Sequence, residues 1–444
     1  MKPEIRTTCC VVGGGPAGMM LGYLLAREGV AVTVLEKHKD FFRDFRGDTV
    51  HPSTLELMFE LGILDDFLKV PHQELRSVGG LLGDFPFEAA NFRHVPTHCK
   101  FVAFMPQWDF LNFLADHGKK FSTFDLRMQH EAFGLIEEGD KVAGVHVRAP
   151  DGTLEIRADL VVACDGRHST IRRAASLEVL EIGVPIDVLW FRISRTQGDP
   201  NDVFGNLNYG GALILINRGD YSQAGLIVRK NSFEQIQKEG LAEFRRRLQR
   251  IAPYLRERVN ELERWDQVQL LSVQINRLKQ WHRPGLLCIG DAAHAMSPTG
   301  GVGINLAIQD AVAAANALAF PLKGRAVTQE LLARIQKRRE FPTRVVQFAQ
   351  ANAHKVMTRL FQYKGPVKAP WQFKLLVRIP GLQSALGRAI GVGIRREHIR
   401  GARPSGQGKR FAIGVGVCAG VAAALAKIAL DKRARTRRLQ SSAA

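Results

Sequence analysis

The feature that most constrains the fold is a glycine motif between two short apolar runs near the N-terminus. Thr7–Val12 reads TTCCVV and Val30–Leu35 reads VAVTVL, and both runs are rich in strand-forming residues. Between them lie a G-x-G-x-x-G motif at residues 13–18 and an apolar, helix-prone stretch that ends before Gly29. This order predicts a strand, a crossover helix and a second, parallel strand.

The spacing of the glycines predicts a dinucleotide site in this unit. Gly13 permits a tight turn, Gly15 lets the main chain approach a pyrophosphate, and Gly18 lets the helix and strand pack closely. The pyrophosphate would lie at the helix N-terminus, which favours negative charge. Glu36 ends the second strand, where its carboxylate can accept hydrogen bonds from the adenosine ribose.

Two later motifs also follow apolar, strand-like runs. Asp159–Cys164 is followed by the pair Asp165–Gly166. Leu286–Ile289 is followed by Gly290–Asp291, with Asp291 expected at the strand end, and by the sequence AAHAMSP. Thr299–Asn305 (TGGVGIN) then opens a long Ala-rich helix, and N–H groups at its start can stabilise negative charge on a bound group.

In this order, the three motifs resemble those of the class A FAD-dependent aromatic hydroxylases, the group around para-hydroxybenzoate hydroxylase and the ubiquinone-pathway hydroxylases. The resemblance covers residues 7–400. It implies an α/β fold in which a Rossmann-like FAD-binding domain is interleaved with a β-sheet substrate domain and followed by a helical C-terminal extension. It also implies that NADPH or NADH reduces the flavin and that O₂ then forms a C4a-hydroperoxide, which hydroxylates an aromatic or other apolar small molecule.

The resemblance assigns roles to individual residues. It implies that Glu36 binds the adenosine ribose, that Asp291 binds the ribityl chain, and that Asp165–Gly166 lies near the pyrophosphate. Arg46 is matched to an arginine of the family that contacts FAD, with Arg43 as the competing candidate.

The remaining assignments concern the ring and the loops around it. Gln107 matches a glutamine that precedes a mid-chain helix in the family, and Pro298, Gly300 and Gly301 are expected beside the flavin ring. The complete set of predicted cofactor-binding residues is Gly13, Gly15, Pro16, Ala17, Gly18, Glu36, Lys37, Arg46, Gln107, Asp165, Gly166, Gly290, Asp291, Pro298, Gly301, Gly303, Ile304 and Asn305.

We predict no metal site and assign no catalytic side chain, because the flavin would carry the chemistry. The six cysteines are scattered and include no C-x-x-C pair. His294 is expected to hold its loop rather than to act as a base. Tyr209, Tyr221 and His51 lie in segments that can reach a substrate, and the sequence favours none of them.

The motifs and strand-like segments predict a discontinuous arrangement of domains. The predicted segments are 1–70, 103–180 and 276–360 for FAD binding, 71–102 and 181–275 for the substrate sheet, 361–402 for a C-terminal helical segment, and 403–444 for a basic tail.

Charge is concentrated at the C-terminal end of the chain. The whole sequence has a net charge of +19, but residues 364–444 contain 17 Lys and Arg against two acids, a net of +15. The run 411–430 is long enough for a membrane helix, while its many alanines also fit a helix that docks on protein; both interpretations stay open. The tail favours contact with an anionic membrane surface over nucleic acid, because it has no aromatic-interleaved basic motif.

Three functions compete at this stage. The first is the hydroxylase described above, in the cytoplasm or attached to the cytoplasmic membrane face, since the short polar start predicts no signal peptide. The second is an FAD-dependent reductase or dehydrogenase of the same fold, such as a prenyl-chain reductase, which needs no O₂. The third is a non-catalytic, membrane-associated flavoprotein. The sequence does not predict the oligomeric state.

Overall fold

The computed structural model describes residues 3–42, 49–199 and 204–401. Its α-helices are α1 (Pro16–Arg27), α2 (Pro52–Glu60), α3 (Leu64–Lys69), α4 (Gln107–Gly118), α5 (Thr170–Ala174), α6 (Phe233–Glu239), α7 (Leu241–Ile251), α8 (Gly303–Lys323), α9 (Gln329–Leu360), α10 (Trp371–Leu376) and α11 (Leu382–Gly391). Its strands are β1 (Glu4–Val12), β2 (Val32–Glu36), β3 (Thr49–Val50), β4 (Gln73–Leu75), β5 (Ser77–Leu82), β6 (Phe85–Asn91), β7 (Val102–Phe104), β8 (Phe124–Met128), β9 (Glu131–Glu138), β10 (Lys141–Ala149), β11 (Gly152–Ala163), β12 (Val179–Glu181), β13 (Ile186–Ser194), β14 (Phe204–Asn208), β15 (Gly211–Asn217), β16 (Tyr221–Arg229), β17 (Gln269–Leu271), β18 (Asn276–Leu278), β19 (His282–Arg283), β20 (Leu286–Cys288) and β21 (His294–Ala295).

The larger sheet contains the predicted strand–helix–strand unit. Its central order is β19-β20-β11-β1-β2-β8, with β10 and β9 added beside the first half of β11. The strands β20, β11, β1, β2 and β8 pair in parallel. Alternate residues of β1 are buried on opposite faces: Val11 packs with α1 and α8, and Val12 packs with Ile171 of α5. Cover on both faces explains why the ends of β1 and β11, Cys9–Val12 and Leu160–Ala163, are continuously apolar.

The second sheet has the order β17-β13-β16-β15-β14-β5-β6, and its strands pair antiparallel except for β14 with β5. One face is filled by residues such as Phe191, Leu213 and Leu226, which pack on α6, α7 and the turn after them. Because side chains alternate along a strand, Trp190 and Ile214 face the other way. This second face is the one turned towards α9 and the C-terminal helices.

The strands of the second sheet come from between those of the first, so the expected fold class is confirmed. Two local predictions were wrong by a few residues. The strand at Leu286 ends at Cys288, and Asp291 lies in a 3₁₀ turn rather than at the strand end. The reason is that pairing with β11 stops at Cys288 and Gly290 then turns the chain at φ +59°.

The described part of the C-terminal segment contains two short helices, α10 and α11. Phe373 of α10 packs edge-on against Phe85 and Phe87 of the second sheet, and α11 packs on β6. The predicted run 411–430 lies outside the described residues. Within them, one helical span, Thr299–Lys323, is apolar and long enough to cross a bilayer, but 61% of its apolar window is buried, as in a core helix.

Candidate functional site

The N-terminal glycines form a loop in which each has a different reason to lack a side chain. A Cβ on Gly13, whose φ is +107°, would lie 2.5 Å from the Cys164 carbonyl oxygen. A Cβ on Gly18 would lie 1.9 Å from the Gly13 carbonyl oxygen. A Cβ on Gly15 would meet no atom within 4 Å. Gly13 and Gly18 are therefore required for packing, whereas Gly15 borders open space at the start of α1.

The acid at the end of β2 turns back onto this loop. Glu36 Oε2 accepts a hydrogen bond from the Gly14 N–H at 3.1 Å, and Oε1 accepts one from the His38 N–H at 3.1 Å. Its neighbour Lys37 is exposed. The carboxylate is thus held beside the glycine loop. Arg43 and Arg46 lie outside the described residues.

Asp165 braces the turn that leads into α5. Its Oδ2 accepts hydrogen bonds from the Thr170 N–H at 2.7 Å and the Ile171 N–H at 3.2 Å. Its Oδ1 is buried and has no hydrogen-bond partner among the described residues. Burial raises the pKa of this carboxyl, while the hydrogen bonds oppose the rise. The adjacent Gly166 has φ +83°, which favours glycine.

The motif at residues 290–291 packs directly against the first glycine loop. A Cβ on Gly290 would lie 3.1 Å from the Ala17 Cβ, so α1 and this turn are in close contact. Asp291 is half-buried, and its Oδ2 lies 3.6 Å from Nη2 of Arg167. The three motifs, far apart in the chain, therefore meet at one place. Gln107, the first residue of α4, is half-buried, and its helix also packs on α1.

The loop between β21 and α8 presents its main chain outward. Gly300 and Gly301 have φ values of +81° and +62°, and α8 begins at Gly303. Pro298 and Gly300 are exposed, and Gly301 and Ile304 are half-buried. A helix start leaves its first N–H groups without intrahelical partners. This surface can therefore receive a flat, partly anionic ring.

The side chain of Asn305 hydrogen-bonds to other residues of the protein. Its Oδ1 accepts hydrogen bonds from the His51 N–H and the Thr54 hydroxyl, both at 2.8 Å. Its Nδ2 donates to the carbonyl oxygens of Thr49 at 3.0 Å and Gly301 at 3.3 Å. An amide has two donors and one acceptor oxygen with two lone pairs, so its capacity is filled. Only the main chain of Asn305 is left to face a cofactor.

His294 is buried and holds its loop, as the sequence predicted. Its Nε2 lies 2.6 Å from Oδ2 of Asp310, which also accepts a hydrogen bond from the Gly290 N–H at 3.1 Å. Oδ1 of Asp310 accepts a hydrogen bond from Arg339 Nε at 2.8 Å, and Arg339 also pairs with Glu397. Burial acts to raise the pKa of Asp310, but His294 and Arg339 outweigh it and lower the pKa.

The long helix α9 clamps the same loop, a feature that the sequence analysis missed. Gln350 accepts a hydrogen bond from the Ser297 N–H at 3.1 Å and donates to the carbonyl oxygens of Ser297 and Thr299 at 3.0 and 2.9 Å. His354 Nε2 lies 3.0 and 3.2 Å from the hydroxyls of Ser297 and Thr299. Burial lowers the pKa of His354 to about 4, so this histidine is neutral at pH 7.

A periodic signal for this clamp is present in the sequence. Polar residues recur at spacings of three and four along α9, and they are buried although two phenylalanines of the helix are exposed. The buried polar positions are Gln336, Arg339, Thr343, Gln347, Gln350 and His354, and the exposed ones are Phe341 and Phe348. Such a pattern indicates a helix whose polar stripe faces protein.

The three side chains considered for contact with substrate differ in environment. His51 is buried, and its Nδ1 lies 2.9 Å from the Ile390 carbonyl oxygen, which can only accept a hydrogen bond. Burial lowers the pKa of His51 to about 4. Tyr221 lies under the Arg192 guanidinium at 5.0 Å, and Tyr209 is exposed at a turn. The arrangement assigns no catalytic base.

Comparison with known proteins identifies the family of this chain. Residues 6–349 match the family model described as "FAD binding domain". The 6-methylpretetramide 4-monooxygenase of Streptomyces rimosus is 31% identical over 404 residues, which cover 89% of this chain and 94% of that protein. The chain belongs to the FAD-dependent aromatic monooxygenases. The expected class A resemblance and the assignment as an FAD-dependent oxidoreductase are therefore confirmed.

Two further matches show how widely the family shares this architecture. The para-nitrophenol 4-monooxygenase of a Pseudomonas species is 26% identical over 352 residues, covering 72% of this chain and 80% of that protein. The solved structure of the anhydrotetracycline hydroxylase OxyS from Streptomyces rimosus superposes with a TM-score of 0.69 at 20% identity, covering 90% of this chain and 78% of that one. The latter match shows that the fold is shared.

Proposed function

We propose that this monooxygenase uses NADPH or NADH and O₂ to hydroxylate an aromatic or other apolar small molecule. The overall reaction balances as substrate, O₂, NAD(P)H and a proton giving hydroxylated substrate, NAD(P)⁺ and water. The observation that carries the proposal is the meeting of three motifs at one place, with exposed Pro298 and Gly300 beside them.

The residues present fit FAD. Gly15 borders open space at a helix N-terminus, where a pyrophosphate needs close approach to the main chain. In this proposal the predicted set around Gly13–Gly18, Glu36–Lys37, Arg46, Gln107, Asp165–Gly166 and 290–305 holds the cofactor. Bound FAD would supply the redox and oxygen chemistry, which amino-acid side chains cannot.

The protein's own groups would bind, orient and exclude water. The N–H groups at the start of α8, from Gly303 onwards, would favour negative charge on the reduced ring. The side chain of Asn305 would act indirectly, by fixing Gly301 against Thr49. Asp291 would accept hydrogen bonds from the ribityl chain, with Arg167 close enough to limit its charge repulsion towards the cofactor.

Oxygen consumption separates this proposal from its competitors. We would record the visible spectrum of the purified protein and then follow NADPH or NADH oxidation and O₂ uptake with a panel of phenols. A yellow protein whose O₂ uptake rises with one phenol, giving a product one oxygen heavier, supports the hydroxylase. Reduction without substrate-stimulated O₂ uptake would favour the reductase, and no turnover with any acceptor would favour a non-catalytic flavoprotein.

The Asp291 assignment can be tested on its own. Asp291→Ala is expected to weaken FAD binding by about 1.5–3 kcal/mol, because ribityl hydroxyls lose a charged acceptor. The measurement is the FAD dissociation constant of the reconstituted apoprotein. Asp151→Ala, at an exposed turn, is the control. Unchanged FAD affinity in Asp291→Ala would overturn this role.

For the basic C-terminal region we propose contact with the cytoplasmic face of an anionic membrane. The support is its net charge of +15 over residues 364–444. Sedimentation of the full chain with phosphatidylglycerol vesicles, but not with phosphatidylcholine vesicles, is the expected result. Equal recovery with both, or with neither, would remove the proposal.

A further inference from the structure

Three exposed apolar side chains recur at helical spacing in α10 and the turn after it. Trp371 is 70% exposed, Leu375 61% and Ile379 46%. Residues four positions apart lie on the same face of a helix. The helical turn continues past α10, because the N–H groups of Arg378 and Ile379 donate to the carbonyl oxygens of Leu375 and Leu376 at 3.1 and 3.2 Å. We call Trp371, Leu375 and Ile379 the apolar stripe.

The opposite face of α10 holds the helix on the second sheet. The Phe373 ring packs edge-on against Phe85 and Phe87, with ring centroids 6.3 and 5.3 Å apart. The Lys374 ammonium lies 5.3 Å from the centroid of the Phe85 ring. A surface helix usually buries its apolar face and turns polar residues to water. Because α10 is apolar on both faces, packing within this chain accounts only for the inner one.

The apolar stripe lies in a stretch of the chain that has one sign of charge. Residues 364–396 contain seven Lys and Arg and no Asp or Glu. Lys368, just before the stripe, and Lys374 and Arg378 within it are all exposed. The hairpin of β5 and β6 beneath α10 contributes two acids, Asp84 and Glu88, and Glu88 pairs with Arg93 at 3.9 Å. The surface around the stripe is therefore positive.

This charge discriminates between the coverings that an exposed apolar stripe could have. A second copy related by a two-fold axis would bring the same patch against itself and place cations against cations. The tail at residues 403–444 contains nine Lys and Arg against one acid, Asp431, so it would also add positive charge. An anionic surface supplies the opposite charge along the whole stretch.

The composition of the stripe fits a lipid surface. Trp is enriched where headgroups meet acyl chains, and an interfacial helix buries its apolar face at that boundary. Lys and Arg beside it extend their aliphatic stems and keep their charged ends at the headgroups. The exposed Phe341 and Phe348 of α9 differ, because Arg344 between them lies 4.0 Å from Glu340. Mixed charge gives that face no preference for an anionic surface.

We propose that α10 is a membrane-contact helix whose apolar stripe enters the interface of an anionic bilayer, with Lys368, Lys374 and Arg378 at the headgroups. This inference rests on the membrane contact proposed above and is independent of the hydroxylation. It assigns that contact to a described surface and requires insertion of side chains in addition to attraction of charge. The bilayer would then lie next to β6, an edge strand of the second sheet.

Insertion can be measured by fluorescence of the FAD-loaded full chain. Of the five tryptophans, all in described segments, Trp371 is the exposed one. Phosphatidylglycerol vesicles with brominated acyl chains should lower the emission relative to vesicles without bromine, because bromine quenches an indole that it touches. Trp371→Phe should remove most of this decrease. An equal decrease in the wild type and in Trp371→Phe would overturn the proposal.

Vesicle sedimentation tests the rest of the stripe. Leu375→Ser combined with Ile379→Ser keeps every cation, and we expect it to bind phosphatidylglycerol vesicles at least about tenfold more weakly, since two apolar side chains no longer leave water. The matched control is Phe348→Ser on α9, where the phenylalanine is 62% exposed, close to the value for Leu375. This control should bind like the wild type. Unchanged binding of the double variant, or an equal loss in the control, would overturn the proposal.

The outcomes separate this inference from the proposals on which it borders. If the wild type sediments with phosphatidylglycerol vesicles but bromine does not quench Trp371, attraction by the basic region stands and the stripe proposal fails. If it sediments with no vesicle, both fail. Self-association that the double variant weakens, without vesicle binding, would assign the stripe to a second copy instead. Hydroxylation of a soluble phenol without vesicles should be unchanged in all these variants, so its failure would bear on the proposed hydroxylase alone.

Discussion

The two loops that meet at the site are held in different ways. The hydrogen bonds of the loop at residues 13–18 come from its own strand–helix–strand unit: the Gly13 N–H donates to the Leu35 carbonyl oxygen at 2.8 Å, and the Gly14 N–H donates to the Glu36 carboxylate. The loop at residues 290–305 is supported by distant elements, including His51, which is 254 positions away in the sequence, and Gln350 on α9. The first loop can therefore be read from a short motif, whereas the second depends on the assembled fold.

This difference predicts different failures. Substitution of a supporting residue outside residues 290–305 should disturb the second loop although its own sequence is unchanged. The first loop should be disturbed only by substitutions within its own glycine motif. Four experiments follow, from the largest expected effect to the smallest.

The largest effect is expected for Asp310→Ala. Asp310 is fully buried and joins Gly290, His294 and Arg339, so its loss removes one of the two carboxylates that pair with Arg339 and leaves the Gly290 N–H without its acceptor. Removing one member of a buried ion pair costs about 3–5 kcal/mol. Urea unfolding of the purified variant measures this cost. Asp116→Ala, which removes an exposed ion pair with Lys119, should leave stability unchanged; an equally stable Asp310→Ala would show that the network does not hold the second loop.

A comparison of Gly18→Ala with Gly15→Ala separates packing from ligand approach in the first loop. At Gly18 the new Cβ would collide with the main chain of Gly13, so we expect a loss of about 3 kcal/mol in the unfolding free energy, at the upper end for overpacking. At Gly15 the apoprotein should be as stable as the wild type, but FAD affinity should fall at least tenfold. Urea unfolding and FAD titration of both variants test this prediction. If the two variants lost the same stability and the same FAD affinity, the proposed roles of Gly18 and Gly15 would be contradicted.

Acid should weaken the contacts of His354 on α9 with Ser297 and Thr299. Burial lowers the pKa of His354 to about 4, below the unfolded value of 6.5, so the folded state favours the neutral ring. Its contribution is fully present above pH 6.5 and is lost as the pH falls towards 4, at about 1.4 kcal/mol for each pH unit. Unfolding free energies measured from pH 7.5 to 4.5 should show a shallower decline in His354→Gln than in the wild type. The exposed His94→Gln is the control, and parallel curves for His354→Gln and wild type would contradict the assignment.

The smallest effect is expected at Gly205, and its sign is opposite to that at Gly80. Gly205→Ala places a methyl group at an ordinary contact distance of 3.6 Å from Leu207 Cδ1 and restricts the unfolded chain, which should stabilise the protein by about 0.4–1 kcal/mol. Gly80→Ala should destabilise it, because the Cβ would meet a carbonyl oxygen. Thermal unfolding of the two apoproteins measures both signs. Destabilisation by Gly205→Ala would show that the space is already filled.

Much of the FAD-binding half could be predicted from the sequence. The first strand–helix–strand unit could be predicted because its residues are close together in the chain. The family resemblance could be recognised because its glycines stand at spacings that backbone geometry fixes. Asp291 was predicted at the end of a strand, but that strand ends earlier, at Cys288, because its end is set by pairing with β11. Asn305 was predicted among the cofactor-binding residues, but nothing in the sequence indicated that its side chain would bond to Thr49 and His51, because these lie in a segment far away in the chain.

The sequence by itself determined the class of protein, the glycine loop that begins α1 and the order of the three motifs, since these depend on local geometry and on the choice of glycine at fixed spacings. Only the tertiary structure decided which residues support the second loop and which glycines share one row across the second sheet. Gly80, Gly205 and Gly225 come from three strands, and strand register alone aligns them. Register follows from the burial of whole strand faces, a property of the assembled sheet that no single segment encodes.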